Sequence, residues 1–378
     1  MKVLIHALGA TMGGGVRHLT NFLPELGRED PRRDYLILVR ESFPTVNIAK
    51  NVTLERICDE ECSAWISRLT KDVFELPGRL KREKFSAVVS LTNFGPIYSP
   101  VPHIVFQRNP LYYCRYYLTN IQKGRKLETL MRRRLATESM KRANLIVTPS
   151  HAMSGMIRKA CPVVRDRPFR TLYHGFAEES SVDPLDMEVD RILSSQKGLK
   201  LLYPTHPAPH KGFEVLFDML AVLKSDGLDF SLFTTISVDD WPEGVRAYEQ
   251  KVKQLGLKDN VVFKGRVPQQ QMGSLYKRCD LMVYPSLCES FGFSMLEAMG
   301  YRLPIVAADT AVNREICEEA AKYYPPLDPA AGAKAIREAL QPTVMEQLRE
   351  GGRKRITSTD WSWSRYAREF VEMIDKVV

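Results

Sequence analysis

The stretch from Asp280 to Ala308 constrains this chain more than any other. The apolar run Asp280-Leu-Met-Val-Tyr284 has the pattern of a buried strand. A loop rich in Ser and Gly follows, then a helical pattern from about Ser294 that Gly300 and Pro304 stop, then a second apolar run from Leu303 to Ala308. A strand passing through a glycine loop into a helix aims unpaired backbone N–H groups and the helix dipole at the loop, which suits phosphate. Two carboxylates stand around it, Glu289 before the glycine and Glu297 one turn into the helix. Taken alone, each reads as a solvated charge, with Glu297 favoured by the dipole.

The same alternation recurs along the chain and predicts an α/β architecture of parallel sheets wrapped by helices. Lys2 to Leu8 reads as a first strand rather than a signal peptide. It leads through a glycine loop into a helix carrying Val16, Leu19, Phe22, Leu23 and Leu26, stopped near Gly27. Further strands are expected at Tyr35 to Val39, Ala87 to Leu91, His103 to Phe106 and Leu145 to Thr148. A segment rich in Ser, Asp and Glu, Glu178 to Ser195, breaks the pattern, and Leu199 to Tyr203 restarts it. A helix with Phe213, Leu216, Phe217, Leu220 and Leu223 comes next. Strands at Phe230 to Ile236 and Val261 to Gly265, helical residues at Leu275 to Arg278, and a final helix from about Trp363 to Lys376 complete the series.

At 378 residues the chain is too long for one ordinary core, and two domains are expected, over 1–176 and 177–360, with 361–378 as a closing helix. No run of 18 apolar residues argues for a spanning helix. Seven scattered cysteines, an odd number, point to a reducing compartment. Cys58 and Cys62 can share a helix face, but no second pair nearby in sequence completes a metal site, so all seven are read as small apolar residues.

The net charge of +9 is uneven. Residues 1–175 hold 29 Lys and Arg against 15 Asp and Glu, a net of +14, while the remainder holds 25 against 30. The basic excess is densest from Lys123 to Arg142, where Leu127, Leu130, Met131 and Leu135 fall at helical spacing. That pattern suits a basic amphipathic helix. It is either a solvated helix face or a contact with an anionic membrane surface or a phosphate-bearing acceptor. No recognised nucleic-acid-binding module accompanies it, and no nucleic-acid partner is expected.

The Asp280–Ala308 stretch resembles the nucleotide-sugar pocket of retaining glycosyltransferases of the GT-B fold, family four, also called group one. The resemblance rests on Pro285-Ser286, Glu289, Phe291-Gly292, Leu296-Glu297-Ala298-Met299, Gly300 and Pro304-Ile305-Val306-Ala307, with Tyr301-Arg302-Leu303 displacing the usual Gly before the Pro. It implies two Rossmann-like domains facing across a cleft, an N-terminal one for the acceptor and a C-terminal one for the nucleotide sugar, with the last helix crossing back to the first. In such enzymes Glu289 would hold the sugar hydroxyls and Glu297 the ribose. Ser290, Phe291, Gly292, Phe293 and Ser294 would take the diphosphate on backbone amides.

The same resemblance assigns Lys211, in Thr205-His-Pro-Ala-Pro-His-Lys-Gly212, to neutralising the departing diphosphate. His206 stands where the family places an Arg, so one positive charge is weakened. Gly14 and Gly15 match the glycine loop near the donor phosphates, although a tight turn explains them as well and the dinucleotide spacing Gly-x-Gly-x-x-Gly is missing. Arg108 and Asn109, where many relatives carry a His, are expected to face the cleft on the acceptor side, and His174 to be structural.

The function implied is transfer of a hexosyl unit, with retention, from a nucleotide diphosphate sugar to a glycan or lipid-linked hydroxyl. Arg314 to Ala321, with Tyr323-Tyr324-Pro and Leu327-Asp328-Pro329, resembles a branch tied to bacterial surface polysaccharides. No Asp-x-Asp marks a metal site, Asp239-Asp240 lacking that pattern, and neither cofactor nor metal is expected. The location implied is cytoplasmic, peripheral on the inner face of the plasma membrane. The competing reading is a degenerate GT-B protein acting as a nucleotide-sugar-binding or scaffold subunit, motivated by His206 and Gln107 in place of expected groups.

Overall fold

The computed structural model describes every residue except 11–12, 59–73, 122, 177–182 and 197; the expected pairing of Cys58 with Cys62 on a helix face therefore lies partly outside the described residues. The chain forms two compact units, Met1–Ala177 together with Trp361–Val378, and Glu178–Asp360.

In the first unit the strands are β1 (Lys2–His6), β2 (Asp34–Arg40), β3 (Val52–Ile57), β4 (Ala87–Ser90), β5 (His103–Phe106), β6 (Leu145–Thr148) and β7 (Phe169–Thr171). They form one sheet in the order β3-β2-β1-β4-β5-β6-β7, each described pair parallel. Strands covered by helices on both faces are continuously apolar, as Val3-Leu4-Ile5 and Ala87-Val88-Val89 are, all fully buried. The edge strands β3 and β7 carry half-exposed residues and lack such a run, so the sequence pattern does not announce them.

The helix after β1 spans Gly13–Glu29, so Gly13, Gly14 and Gly15 form its first turn rather than a preceding loop. It does not stop at Gly27. A Cβ there would lie 2.5 Å from Ala49 Cβ, so the glycine serves a close approach between the helix and the chain before β3. The last helix, Trp363–Asp375, is capped by Ser362, whose Oγ accepts from the Arg365 amide at 3.0 Å. It buries Trp363, Tyr366, Ala367, Phe370, Met373 and Ile374 on one face and meets Phe22 of the first helix, with the Phe22 and Phe370 rings 4.8 Å apart.

The basic stretch is a single helix, Lys123–Arg142, but it is not amphipathic in the expected sense. Its buried residues are Thr129, Ala136, Ser139 and Met140, while Leu127, Leu130 and Met131 are exposed among the basic side chains. The helical spacing of those three apolar residues marks an outer face, not a core face.

The second unit repeats the plan with β8 (Leu199–Tyr203), β9 (Phe230–Thr234), β10 (Val261–Phe263), β11 (Leu281–Tyr284), β12 (Ile305–Ala308) and β13 (Ala321–Tyr324). The order is β10-β9-β8-β11-β12-β13, again parallel throughout the described pairs. The segment expected as a break is helical from Met187 to Ser195, with Asp186 as its cap, and the residues expected to be helical before β11 extend to Gln269–Arg278. Charged and polar faces hid both, because each helix buries only a narrow stripe, such as Val189 and Leu193.

Candidate functional site

In an open parallel sheet, ligands bind beyond the carboxyl ends of the strands where the strand order reverses. In the second unit that point lies between β8 and β11. The loop after β8 ends in a short turn, Pro209–Lys211, and Gly212 then starts the helix Phe213–Ser225. Gly212 has φ +69°, and a Cβ on it would lie 2.4 Å from the Pro285 carbonyl oxygen, so only glycine lets the two loops meet here. The Tyr203 hydroxyl donates to the Lys211 carbonyl at 2.7 Å, and the Leu287 amide donates to the His210 carbonyl at 2.9 Å.

This frame brings Lys211 and Glu289 together. Lys211 Nζ donates to Glu289 Oε1 at 2.6 Å, and Ser286 Oγ donates to the same oxygen at 2.6 Å. Both charged side chains are largely withdrawn from solvent, at 7% and 13% exposure. Burial pushes the Glu289 carboxyl up, but the Lys211 ammonium and the Ser286 hydroxyl outweigh it and hold its pKa at about 2. Ser286 was legible only as part of a motif; its partner in space was not.

Glu289 leads through Ser290 and Phe291 to Gly292, at φ +93°, and into the helix Phe293–Gly300. Phe291 is buried, and the Phe291 and Phe293 rings lie 5.4 Å apart. The helix begins at Phe293, with Ser294 in its first turn, so the positive end of its dipole lies at the loop that carries Glu289. Glu297, one turn on, is buried at 5% exposure. Its Oε2 accepts from the Tyr276 hydroxyl at 2.8 Å and its Oε1 from Gln269 Nε2 at 3.2 Å, two partners the sequence pattern does not reveal.

His206 is on the same loop as Lys211 and is exposed. Desolvation by its surroundings, and next the Lys211 ammonium, lower its pKa to about 4, which leaves it uncharged at neutral pH. His210 is buried, and burial with Lys211 lowers it to about 3. Lys211 is thus the buried cation of the loop after β8.

The remaining expected residues lie in the first unit. Gly14 and Gly15 open its first helix, and a Cβ on Gly15 would lie 3.3 Å from Ala10 Cα. Arg108 Nη2 donates to His18 Nε2 at 2.9 Å and to the Tyr366 hydroxyl at 3.0 Å, tying the strand end after β5 to the first and last helices. His18 accepts only as a neutral ring, and burial, then Arg108 and His174, keep its pKa well below 6.5. Asn109 accepts from the Leu111 amide at 3.0 Å and caps a local turn. Arg108 and Asn109 are therefore engaged in internal bonds of this unit, as is Gln107, which donates to the Asn93 carbonyl at 2.7 Å. His174 stacks on Tyr366 with ring centroids 6.1 Å apart.

Among the described residues no group of three or more His, Cys, Asp and Glu is placed to hold a metal ion. Among the described residues six cysteines are in no disulfide, five of them buried.

Two doubly wound parallel sheets, with an anion-suited loop pair at the switch point of the second, define the GT-B class of α/β protein. The family model for glycosyl transferases group 1 matches residues 188–355, within the second unit. Over 89 residues it is 35% identical to the O-antigen chain mannosyltransferase RfbU of Salmonella typhimurium, covering 24% of this chain and 25% of that protein. The matches to the first curated relatives span only about a quarter of their length or less. Whole-chain likeness comes from solved structures. Sucrose-phosphate synthase from Thermosynechococcus elongatus matches at a TM-score of 0.77 and 16% identity, over 100% of this chain and 98% of that one. Anabaena HepE in complex with UDP-glucose matches at 0.72 and 16%, over 100% of both.

Proposed function

We propose that this chain is a retaining hexosyltransferase that moves a sugar from a nucleoside diphosphate to a glycan or lipid-linked hydroxyl in the synthesis of a bacterial surface polysaccharide. The observation that carries the proposal is the Lys211–Glu289 pair at the β8–β11 switch point, facing the start of the helix Phe293–Gly300. Lys211 and the amides around Phe291, Gly292 and Phe293 supply positive potential where charge develops on the leaving diphosphate. Preorganised donors of this kind are each worth roughly 10²–10³ in rate. Glu289 holds the hydroxyls of the transferred sugar, and Glu297 takes the ribose. Retention follows from same-face attack, with the leaving phosphate accepting the acceptor's proton. No step in this scheme calls for a metal ion, and His206, uncharged at neutral pH, leaves the counter-charge to Lys211 and the helix.

The resemblance to an O-antigen chain mannosyltransferase and to a structure bound to UDP-glucose supports this reading of class. The first unit is assigned to the acceptor. Its helix Lys123–Arg142 exposes Leu127, Leu130 and Met131, with Lys123, Arg125, Lys126 and Arg134 in no described ion pair. Apolar residues set among basic side chains suit the surface of an anionic membrane, where a lipid-linked acceptor would lie. No described helix is long and apolar enough to cross a membrane.

The test is transfer from a panel of labelled UDP-, GDP-, dTDP- and ADP-sugars to lipid extracts, with and without EDTA, followed by NMR of the product anomer. The proposal predicts one productive donor, activity that survives EDTA, and a retained anomeric configuration. Tight donor binding with no transfer to any acceptor would favour the nucleotide-sugar-binding or scaffold reading instead.

A further inference from the structure

We propose that Arg108 is the receptor for one negative charge on the acceptor, so that the first unit is built for an acidic acceptor carrying a singly charged oxygen group, a carboxylate or a phosphodiester. The inference rests on the assignment of the first unit to the acceptor and adds the charge that the acceptor must carry.

The place suits a ligand. Arg108 stands just past the carboxyl end of β5, which pairs with β4, and the strand order of the first sheet reverses between β4 and β1. Ligands of such sheets bind beyond these strand ends. The backbone here is held from the loop after β4. Asn93 Oδ1 accepts from the Arg108 amide at 2.7 Å and from the Asn109 amide at 2.9 Å. Asn93 itself sits at φ +68°, a conformation that asparagine adopts more readily than most residues. Gln107 Nε2 donates to the Asn93 carbonyl at 2.7 Å, and Gln107 Oε1 accepts from the Tyr113 hydroxyl at 2.8 Å. The Arg108 side chain therefore leaves from a fixed point.

Its charge is not balanced. Nη2 donates to two neutral acceptors, His18 Nε2 at 2.9 Å and the Tyr366 hydroxyl at 3.0 Å. Nε is buried without a partner, and no described residue accepts from Nη1. Among the described residues no Asp or Glu forms an ion pair with Arg108. The Phe106 ring, 5.2 Å from the guanidinium carbon, offers only the weak negative potential of an aromatic face. Burial lowers the guanidinium pKa and Tyr366 opposes it, with neither a carboxylate nor a second cation contributing. The group stays protonated all the same, because a guanidinium titrates far above neutral pH. A charge drawn out of water without a counter-ion is costly, and proteins keep such groups paired. Arg108 is only half-buried, which leaves part of the side chain open to an incoming anion. One cation with no second beside it matches a singly charged group better than the dianion of a phosphate monoester.

The experiment uses the full chain and two monoanions, D-glucuronate and dimethyl phosphate, each against its neutral counterpart, methyl glucoside and trimethyl phosphate, with methyl phosphate as the dianion. Binding is followed by saturation-transfer NMR and calorimetry at mildly alkaline pH. The wild type should bind at least one monoanion roughly tenfold or more tightly than its neutral counterpart, the scale of a hydrogen bond to a charged group. Preference for D-glucuronate identifies an acidic sugar as the source of the charge, and preference for dimethyl phosphate a phosphodiester. Arg108→Met should remove the preference. Arg108→Lys, which keeps the charge without the planar group, should keep part of it and serves if the methionine variant folds poorly. Lys211→Ala, in the second unit, should leave it unchanged. UDP, GDP, dTDP and ADP are titrated calorimetrically into the same wild-type protein. No monoanion preference, a stronger one for methyl phosphate, one that survives Arg108→Met, or one lost in Lys211→Ala would each overturn the inference, and nucleotide binding would leave the transferase reading standing. An Arg108-dependent monoanion site in a protein that binds none of the four nucleotides would overturn the transferase reading, and with it the assignment of that site to an acceptor.

Discussion

Replacing Lys211 by Met should destabilise the second unit by an amount the site geometry sets. In the native protein Glu289 is mostly buried and its carboxyl is lowered from 4.5 to about 2, against a burial effect of opposite sign. That displacement corresponds to about 3 kcal/mol of stability at neutral pH. Removing one member of a buried pair costs roughly 3–5 kcal/mol by comparison with other such pairs, which agrees. Because the folded-state pKa lies below the unfolded one, the contribution is complete above about pH 4.5 and is lost as pH falls through about 2. At pH 3 it should have shrunk to about 1 kcal/mol. Urea titrations of wild type and Lys211→Met, followed by tryptophan fluorescence and far-UV circular dichroism, measure it; with a slope of about 2 kcal/mol/M the midpoints should differ by about 1.5 M at pH 7 and by much less at pH 3. The double variant Lys211→Met/Glu289→Gln should recover much of the loss, because it removes the stranded charge. Equal midpoints at pH 7, or a gap of the same size at pH 3, would refute the buried-pair account.

Three further outcomes follow from other parts of the structure. Gly212→Ala should lower stability by at least about 1–3 kcal/mol, since φ +69° and a Cβ 2.4 Å from the Pro285 carbonyl are both unfavourable, and should weaken nucleotide binding in the same calorimetric assay. His206→Arg should tighten nucleoside diphosphate binding severalfold at pH 7, because it adds a fixed charge where the native imidazole, with its pKa at about 4, has none; an unchanged Kd would show that residue 206 does not face the phosphates. Leu127→Asp combined with Arg125→Glu should abolish co-sedimentation with vesicles containing anionic lipid and leave the thermal midpoint unaltered, as both side chains are exposed; retention on the vesicles would remove the membrane role of this helix.

How much of this was legible in the sequence depended on burial. The central strands of both sheets were readable because residues such as Val3-Leu4-Ile5 and Met282-Val283 are covered on both faces and form continuous apolar runs. The edge strands Val52–Ile57 and Phe169–Thr171 were not, since most of their residues are only partly buried or exposed and their composition is mixed. The helix Gly13–Glu29 runs past the glycine that would end it in isolation, because tertiary packing against Ala49 uses the missing side chain. Within the second unit the positions of Lys211, Glu289 and the helix Phe293–Gly300 followed from a local motif. The partners of those residues did not: Ser286, Tyr276 and Gln269 meet their carboxylates through space, and spacing along the chain encodes none of those contacts. Arg108 is a further case. The family resemblance turned it toward a cleft; its guanidinium also donates to His18 and to Tyr366, a residue 258 positions away, and no spacing along the chain encodes those contacts.

The central claim is that the paired loops after β8 and β11 form a nucleoside diphosphate site. Calorimetric titration with UDP, GDP, dTDP and ADP tests it most directly, using wild type, Lys211→Ala and Glu297→Ala. The account predicts that one nucleotide binds well, that Lys211→Ala loses affinity for the diphosphate far more than for the parent nucleoside, and that Glu297→Ala loses affinity for both. If none of the four binds the wild type, or if the bound one is indifferent to both substitutions, the site is not where the structure has led us to place it.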